Sequence, residues 1–558
     1  MTIGLITKLA KVADKLLVDA GIRSDLANKT DITKGAGQTG FDSRWLSDYL
    51  KQQECYLTIE YFGPTDTPAN TKVTMQTAIN FCATNGILLR AKARSYTIDV
   101  AASGITIPSN FKCDLGGAKI NRATGNTTPH DLWVNSDTVN GNTGLDIRGV
   151  WFDGKAQTDS LTNATVAHRF CGLRLIKCEG KLVDVRADST CNGEIQAEGT
   201  RGGILLQDSV FMDCENIRTD STIGTGLFIT GGAGRLRNFQ SNNNTGSGLS
   251  GDQPGWMLNN LSSKTSGYSG ISLNGPGFIA RGIYASGAAF GYAGVNFGHA
   301  TPPSSNGVDA IASDVVAENN ASWGINATSC PGIQGDNWVV KSSVDNNIRL
   351  LNCPGAKISL QSKGGSANGI LIDGAGYYDI EAQVSGCAAS GVYARNGADV
   401  VLSPGSLITG NGAAGGFAAG VTADLGSKAR ICGQVIDNLA YGVQSANPGS
   451  IVTVAGGTIK GHPSGNVRAA DSGLVRYELA KFSTDPMSGT FTILAGTNSL
   501  AISNGNVIDL NQVSFTASNA AARTAGIPLI STYTPLTSFT AQIAANAATD
   551  AIYRYSMR

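Results

Sequence analysis

The chain reads as an all-β protein, a right-handed parallel β-helix whose coils each hold three short strands in about 22 residues. Three observations predict it. A glycine opens one apolar alternation after another: Gly226 (TGLFI), Gly248 (SGLSG), Gly270 (SGISL), Gly294 (AGVNF), Gly324 (WGINA), Gly369 (NGILI), Gly391 (SGVYA), Gly420 (AGVTA) and Gly442 (YGVQS). A second alternation precedes the anchors, as in NIRTD, NFQSN, NLSSK, GIYAS and DVVAE. A third follows a Pro-Gly turn, as in GWMLN, GFIAR, GAKIS and GSIVT.

Period-2 alternation gives each strand one inner and one outer face. A single coil cannot bury its inner residues, so coils stack at about 4.8 Å and like side chains fall into columns. Runs this rich in Gly, Asn, Ser and Val make poor helices.

The flanks differ. Residues 56–107 read strand, helix, strand, with Met75, Ala78, Ile79 and Cys82 on one helical face and Gly86 as C-cap. This segment is expected to cap residues 108–470, the β-helix, whose end otherwise exposes strand edges. Residues 471–558 lose the coil period and read as a separate β-rich domain. Within 1–55, Leu5, Leu9, Val12 and Leu16 recur at helical spacing, so an amphipathic helix is expected there. It packs on its own domain or docks a partner. No continuous apolar h-region marks a signal peptide.

Composition narrows the function. Lys and Arg number 42, Asp and Glu 42, and charged residues are 15% of the chain. That balance argues against nucleic acid as a partner, because phosphate binding needs a basic face. No apolar run reaches the about 18 residues of a membrane span, so membrane insertion is not expected. Eleven cysteines without a C-x-x-C pair read as reduced, buried thiols. Cys330 and Cys353, each before a Pro-Gly turn, are expected to stack on adjacent coils as small apolar residues. The four histidines lack metal-ligand spacing, and no metal or cofactor is expected.

Two stretches carry a family resemblance: YFGPTDTPANTKVTMQTAINFCATNGILLRAKARSYTI, and GVWFDG from Gly149 to Gly154. Over residues 56–470 the chain resembles the phage tailspikes with a pectate-lyase-like β-helix. The resemblance implies a homotrimer, an N-terminal segment (1–55) joined to other tail or baseplate proteins of the virion, and a C-terminal trimerising or receptor-binding domain. It also implies cleavage of bacterial surface polysaccharide, capsule or O-antigen, at the host cell surface.

Glycoside hydrolysis needs two carboxyls, one to protonate the leaving oxygen and one to attack or to activate water. Aligning NIRTD, NFQSN, NLSSK, GIYAS, DVVAE and KSSVD gives an outward column Asp220, Asn242, Lys264, Ser286, Glu318, Asp345. Glu318 and Asp345 are therefore the expected acid and base or nucleophile, with Asp314 the third candidate on the same outer face. The tripeptides ENN and DNN also read as turn chemistry at a coil corner. The long step from Gly294 to Gly324 holds an inserted loop, GHATPPSSNG, expected to wall a binding face. Near it lie the expected substrate-binding residues Trp256, Tyr284, Trp323, Trp338, Lys341 and Asp336, with Tyr292, Arg281 and Lys264 as further neighbours. Glu194 and Glu198, with Asp208, Asp213 and Glu215, form a rival acidic set. Elimination by a lyase, and a spike that binds glycans without cutting them, are the competing functions.

Overall fold

The structure, a computed structural model, describes residues 56–557 except 93, 127, 156–169, 191–201, 299–308, 413–417, 479–487, 496, 504–512 and 535–537. The expected N-terminal helix, the GHATPPSSNG loop after Gly298 and the pair Glu194 and Glu198 lie outside the described residues.

The described core is a right-handed parallel β-helix. One face is a 15-stranded parallel sheet running from Ile105–Ile107 to Val467–Ala469, one strand per coil. Its register steps follow the glycine anchors: Leu227 pairs with Leu249, Leu249 with Ile271, and Ile271 with Val295. The anchors are glycine because neighbouring coils approach too closely for a side chain. A Cβ on Gly226 would sit 2.7 Å from the Gly248 carbonyl oxygen, and one on Gly248 2.5 Å from that of Gly270. The Pro-Gly turns need glycine for another reason. Gly255 and Gly277 hold φ near +68° and +66°, where a side chain is strained.

The second and third alternations were expected as separate strands. From Lys112 to Cys387 they run on as one bent strand per coil, for example Val210–Asp220 and Ala233–Asn244. The bend is a single residue in the left-handed region: Asn216, Asn238, Asn260, Asp314 and Asn337 all hold φ between 53° and 57°. Asn tolerates that region, and here its amide also stacks. Asn260 Nδ2 donates to Asn238 Oδ1 (2.9 Å), Asn238 to Asn216 (3.0 Å), and Asn216 to Asp184 (2.8 Å).

The interior is a continuous apolar stack. Phe278, Phe297 and Trp338 pile up at centroid spacings of 6.0 and 5.3 Å. A buried polar column shares the interior: Asn438 Oδ1 accepts from Asn411 N (3.1 Å), and His462 Nδ1 from Asn438 N (3.0 Å). Burial lowers the His462 pKa and keeps it neutral. Cys330 and Cys353 stack as expected, with Cys330 N 3.4 Å from Cys353 Sγ, and all nine described cysteines are free.

The helix Pro68–Asn85 begins at the Thr67 cap, ends at Gly86 (φ 66°), and buries Met75, Ala78, Ile79 and Cys82. The strand Tyr56–Thr58 pairs in parallel with Leu88–Arg90, which pairs with the first long strand. At the other end, Ser488–Ile493, Ala551–Met557 and Val513–Ala517 form one antiparallel sheet, and Ser499–Ser503, Ser538–Gln542 and Leu529–Thr534 another. These two share a small core around Ile493, Phe539 and Tyr553.

Trp338 is fully buried and its indole donates to the Ala312 carbonyl at 2.9 Å. Trp338→Ala is expected to cost about 3–5 kcal/mol, seen as a lower unfolding midpoint. An unchanged midpoint contradicts its place in the core.

Candidate functional site

The outward column of the second alternation, at the end of each bent strand, holds as aligned from Asp220 to Glu318. Asp220 pairs with Asn242, Asn242 with Lys264, Lys264 with Ser286, and Ser286 with Glu318. The next step corrects the expectation: Glu318 pairs with Lys341, and Lys341 with Lys363. Alignment on KSSVD puts Val344 in the inner slot, yet Val340 is buried and Val344 is 55% exposed. Asp345 therefore sits past the corner, accepting from its neighbour Asn346 through both N and Nδ2 at 2.8 Å. Glu318 and Asp345 are not stacked carboxylates.

Asp314 is also corrected. Its left-handed bend (φ 54°) separates it from Glu318, and its carboxylate accepts from Asn337 Nδ2 at 2.9 Å as part of the corner ladder. Trp256 and Trp338 are core residues, both fully buried, and present nothing to a substrate. Exposed Asp336 accepts from Ser359 Oγ at 2.7 Å. Tyr284 and Glu318 do meet: the hydroxyl donates to Glu318 Oε1 at 2.6 Å, which raises the Tyr284 pKa. Lys264 Nζ lies 5.7 Å from the Tyr284 ring. In the rival set, Arg237 ties Asp213 (2.9 Å) and Glu215 (3.2 Å) together.

Three carboxylates do stack, in the coils before the glycine anchors begin. The same column starts Asn121, Asp153, Asp188, Asp220, each paired with the next. Adjacent Cα atoms in such a register lie about 4.8 Å apart. Two residues upstream, Lys119, Trp151 and Arg186 form a parallel column. The Trp151 ring has Lys119 Nζ at 4.5 Å and the Arg186 guanidinium at 4.3 Å. Lys119 pairs with Asp153 at 2.6 Å. Arg186 pairs with Asp188 at 2.6 Å and reaches Asp220 at 3.9 Å.

These cations offset the repulsion of three stacked carboxylates, but not evenly. Asp188 is 6% exposed, and burial raises its pKa against the opposing pull of Arg186. The Asp220 side chain is 33% exposed. One carboxyl biased toward its proton beside a solvated one is the arrangement that acid–base chemistry uses. Upstream of them a cavity of about 400 Å³ opens at the Trp151–Arg186 column, lined also by Asp184, Asn216 and Arg218.

On the opposite sheet, Trp323 and Asp345 line a cavity of about 330 Å³ with Arg349, Tyr393 and Arg395. Arg349 covers the Trp323 ring at 5.0 Å. Arg395 is held by Asp373 at 2.6 Å.

No protein-family model matches the chain, and no curated protein matches it. Solved structures do. A mutant tailspike protein of E. coli bacteriophage HK620, in complex with a pentasaccharide, is 12% identical with a TM-score of 0.51, over 96% of this chain and all of that one. The pre-mature gene product 12 of bacteriophage phi29 is 13% identical with a TM-score of 0.40, over 84% and 80% of the two chains. The A-module of the Azotobacter vinelandii mannuronan C-5 epimerase AlgE4 is 14% identical with a TM-score of 0.37, over 76% and 99%. At this identity the likeness is one of fold: the chain shares the parallel β-helix fold of that tailspike protein. Among the described residues, no helix is long and apolar enough to cross a membrane.

Proposed function

We propose that this protein is a phage tailspike that binds bacterial surface polysaccharide, capsule or O-antigen, and cuts it by glycoside hydrolysis. It acts as a homotrimer joined to the virion through residues 1–55. The observation that carries the catalytic part is the column Asp153–Asp188–Asp220, with the middle carboxyl biased toward its proton. The tailspike fold supports the glycan part, since the HK620 relative is described with a bound pentasaccharide. In this reading Asp188 protonates the leaving oxygen and Asp220 is the partner carboxylate that attacks or activates water. Lys119, Trp151 and Arg186 hold the carboxylates in place. Glu318 is a single acid between Ser286 and Lys341 in the register, so it supplies no carboxylate pair.

Asp188→Asn and Asp220→Asn are each expected to slow depolymerisation by about 10²–10⁴ while polymer binding persists. Glu318→Gln is expected to stay near the wild-type rate. The assay is reducing-end release on capsule and O-antigen panels, with products heavier by one water. Full activity in both Asp variants overturns the assignment. Products formed without added water establish a lyase, and binding without any product establishes an adhesin.

The pH dependence has a fixed sign. Asp188 donates only when protonated, and its pKa is raised above the usual carboxylate value of 3.8. The rate is therefore expected to fall as pH rises through that raised value. A kcat/KM profile that keeps climbing to alkaline pH contradicts Asp188 as the acid.

Leu494 and Ile527, flanking the C-terminal strands, and Leu529, at the start of one, are 58%, 71% and 75% exposed, apolar surface that association would cover. Light scattering is expected to give three times the 57.6 kDa chain mass, falling to one chain in the Ile527→Ser/Leu529→Ser variant. A wild-type monomer contradicts the trimer.

A further inference from the structure

We infer that the last coils of the β-helix carry a second saccharide site, separate from the carboxylate column, that recognises a neutral sugar bearing an acetamido group. It rests on the glycan-binding part of the proposed function and not on cleavage. The site is a cavity of about 420 Å³ on the 15-stranded sheet, within the size range of small-molecule pockets. It continues into the Trp323 cavity, since Asn368 and Tyr393 line both. Eleven strand steps separate the Leu173–Ile176 coil, which carries Asp188, from the Tyr441–Ser445 coil. At about 4.8 Å per step that is about 50 Å.

Gln444 makes the case. Its side chain lines the cavity, is fully buried, and neither its Oε1 nor its Nε2 has a hydrogen-bond partner. Such a group costs stability unless something pairs with it. The surroundings leave it unpaired by construction. Of its two register neighbours, Thr422 bonds with Ser390 Oγ at 2.9 Å and Arg468 lies over the Tyr441 ring at 5.1 Å. Tyr393 gives its hydroxyl to Asp424 at 2.6 Å, and Asp424 also accepts from Leu425 N and Asn447. The polar wall is thus fixed around one unpaired donor–acceptor pair, and Ala389, Ala418 and Ala446 line the same cavity.

A carboxamide offers one acceptor and one donor in a plane. An acetamido group offers the complementary N–H and C=O, with a methyl to set against the alanines. Asp424 and Asp471 line the cavity, which disfavours an anionic sugar.

The test uses full-length protein and saturation-transfer NMR with N-acetylglucosamine, N-acetylgalactosamine and N-acetylmannosamine, each against its parent hexose. At least one acetamido sugar is expected to bind about tenfold or more tighter than its parent, and Gln444→Leu to remove that preference. The preference is expected to survive in Asp188→Asn, which separates this site from the catalytic one. No preference in the wild type, or an unchanged one in Gln444→Leu, overturns the proposal. A Gln444→Leu variant that instead changes the mass in solution assigns this face to contact between copies, and also overturns it. Gln444→Glu, close in size, checks folding by its unfolding midpoint.

Discussion

Every part of this molecule depends on the register between coils. No coil can bury its own inner residues, so each depends on the next lying directly above it. Two features lock that alignment. The glycine column lets adjacent backbones approach to distances that no Cβ allows, as at Gly226 and Gly248. The corner ladder, Asp184–Asn216–Asn238–Asn260, ties each bend to the one before it through side-chain amides. A slip of one residue would break both and turn the inner face outward.

The same register creates chemistry. Stacking places like residues about 4.8 Å apart, which suits asparagine and phenylalanine but not aspartate. Asp153, Asp188 and Asp220 are tolerated because Lys119 and Arg186, clamped on the two faces of Trp151, stand beside them. The compensation is uneven, so burial leaves Asp188 with a raised pKa next to a more exposed Asp220. A fold that repeats one geometry thereby produces two carboxyls of different character.

Much of this was legible in the sequence. The glycine anchors and period-2 alternation give the coil, and Met75, Ala78, Ile79 and Cys82 give the helix face. The site was harder. Glu318 and Asp345 align only if Val344 fills the inner slot. Val340 and Val344 are both four-spaced valines, and sequence cannot say which one turns inward. Trp256 and Trp338 look like sugar platforms until their burial is known. The stacked aspartates escaped because the steps from Asp153 to Asp188 and from Asp188 to Asp220, 35 and 32 residues, exceed the period of about 22. The signal was present, however: FD at 152–153, RAD at 186–188 and RTD at 218–220 each end a strand on aspartate. Gln444 has no local signature, since being unpaired is a property of its three-dimensional surroundings.

The proposed cleavage places the glycosidic bond between Asp188 and its neighbour one coil away. The most direct measurement is a crystal structure of the full-length Asp188→Asn protein soaked with oligosaccharide taken from a polymer that the wild type binds. A glycosidic oxygen is expected within hydrogen-bond distance of residue 188, with the saccharide running through the cavity beside Trp151 and Arg186. Saccharide ordered elsewhere, with the carboxylate column left to solvent, would contradict it.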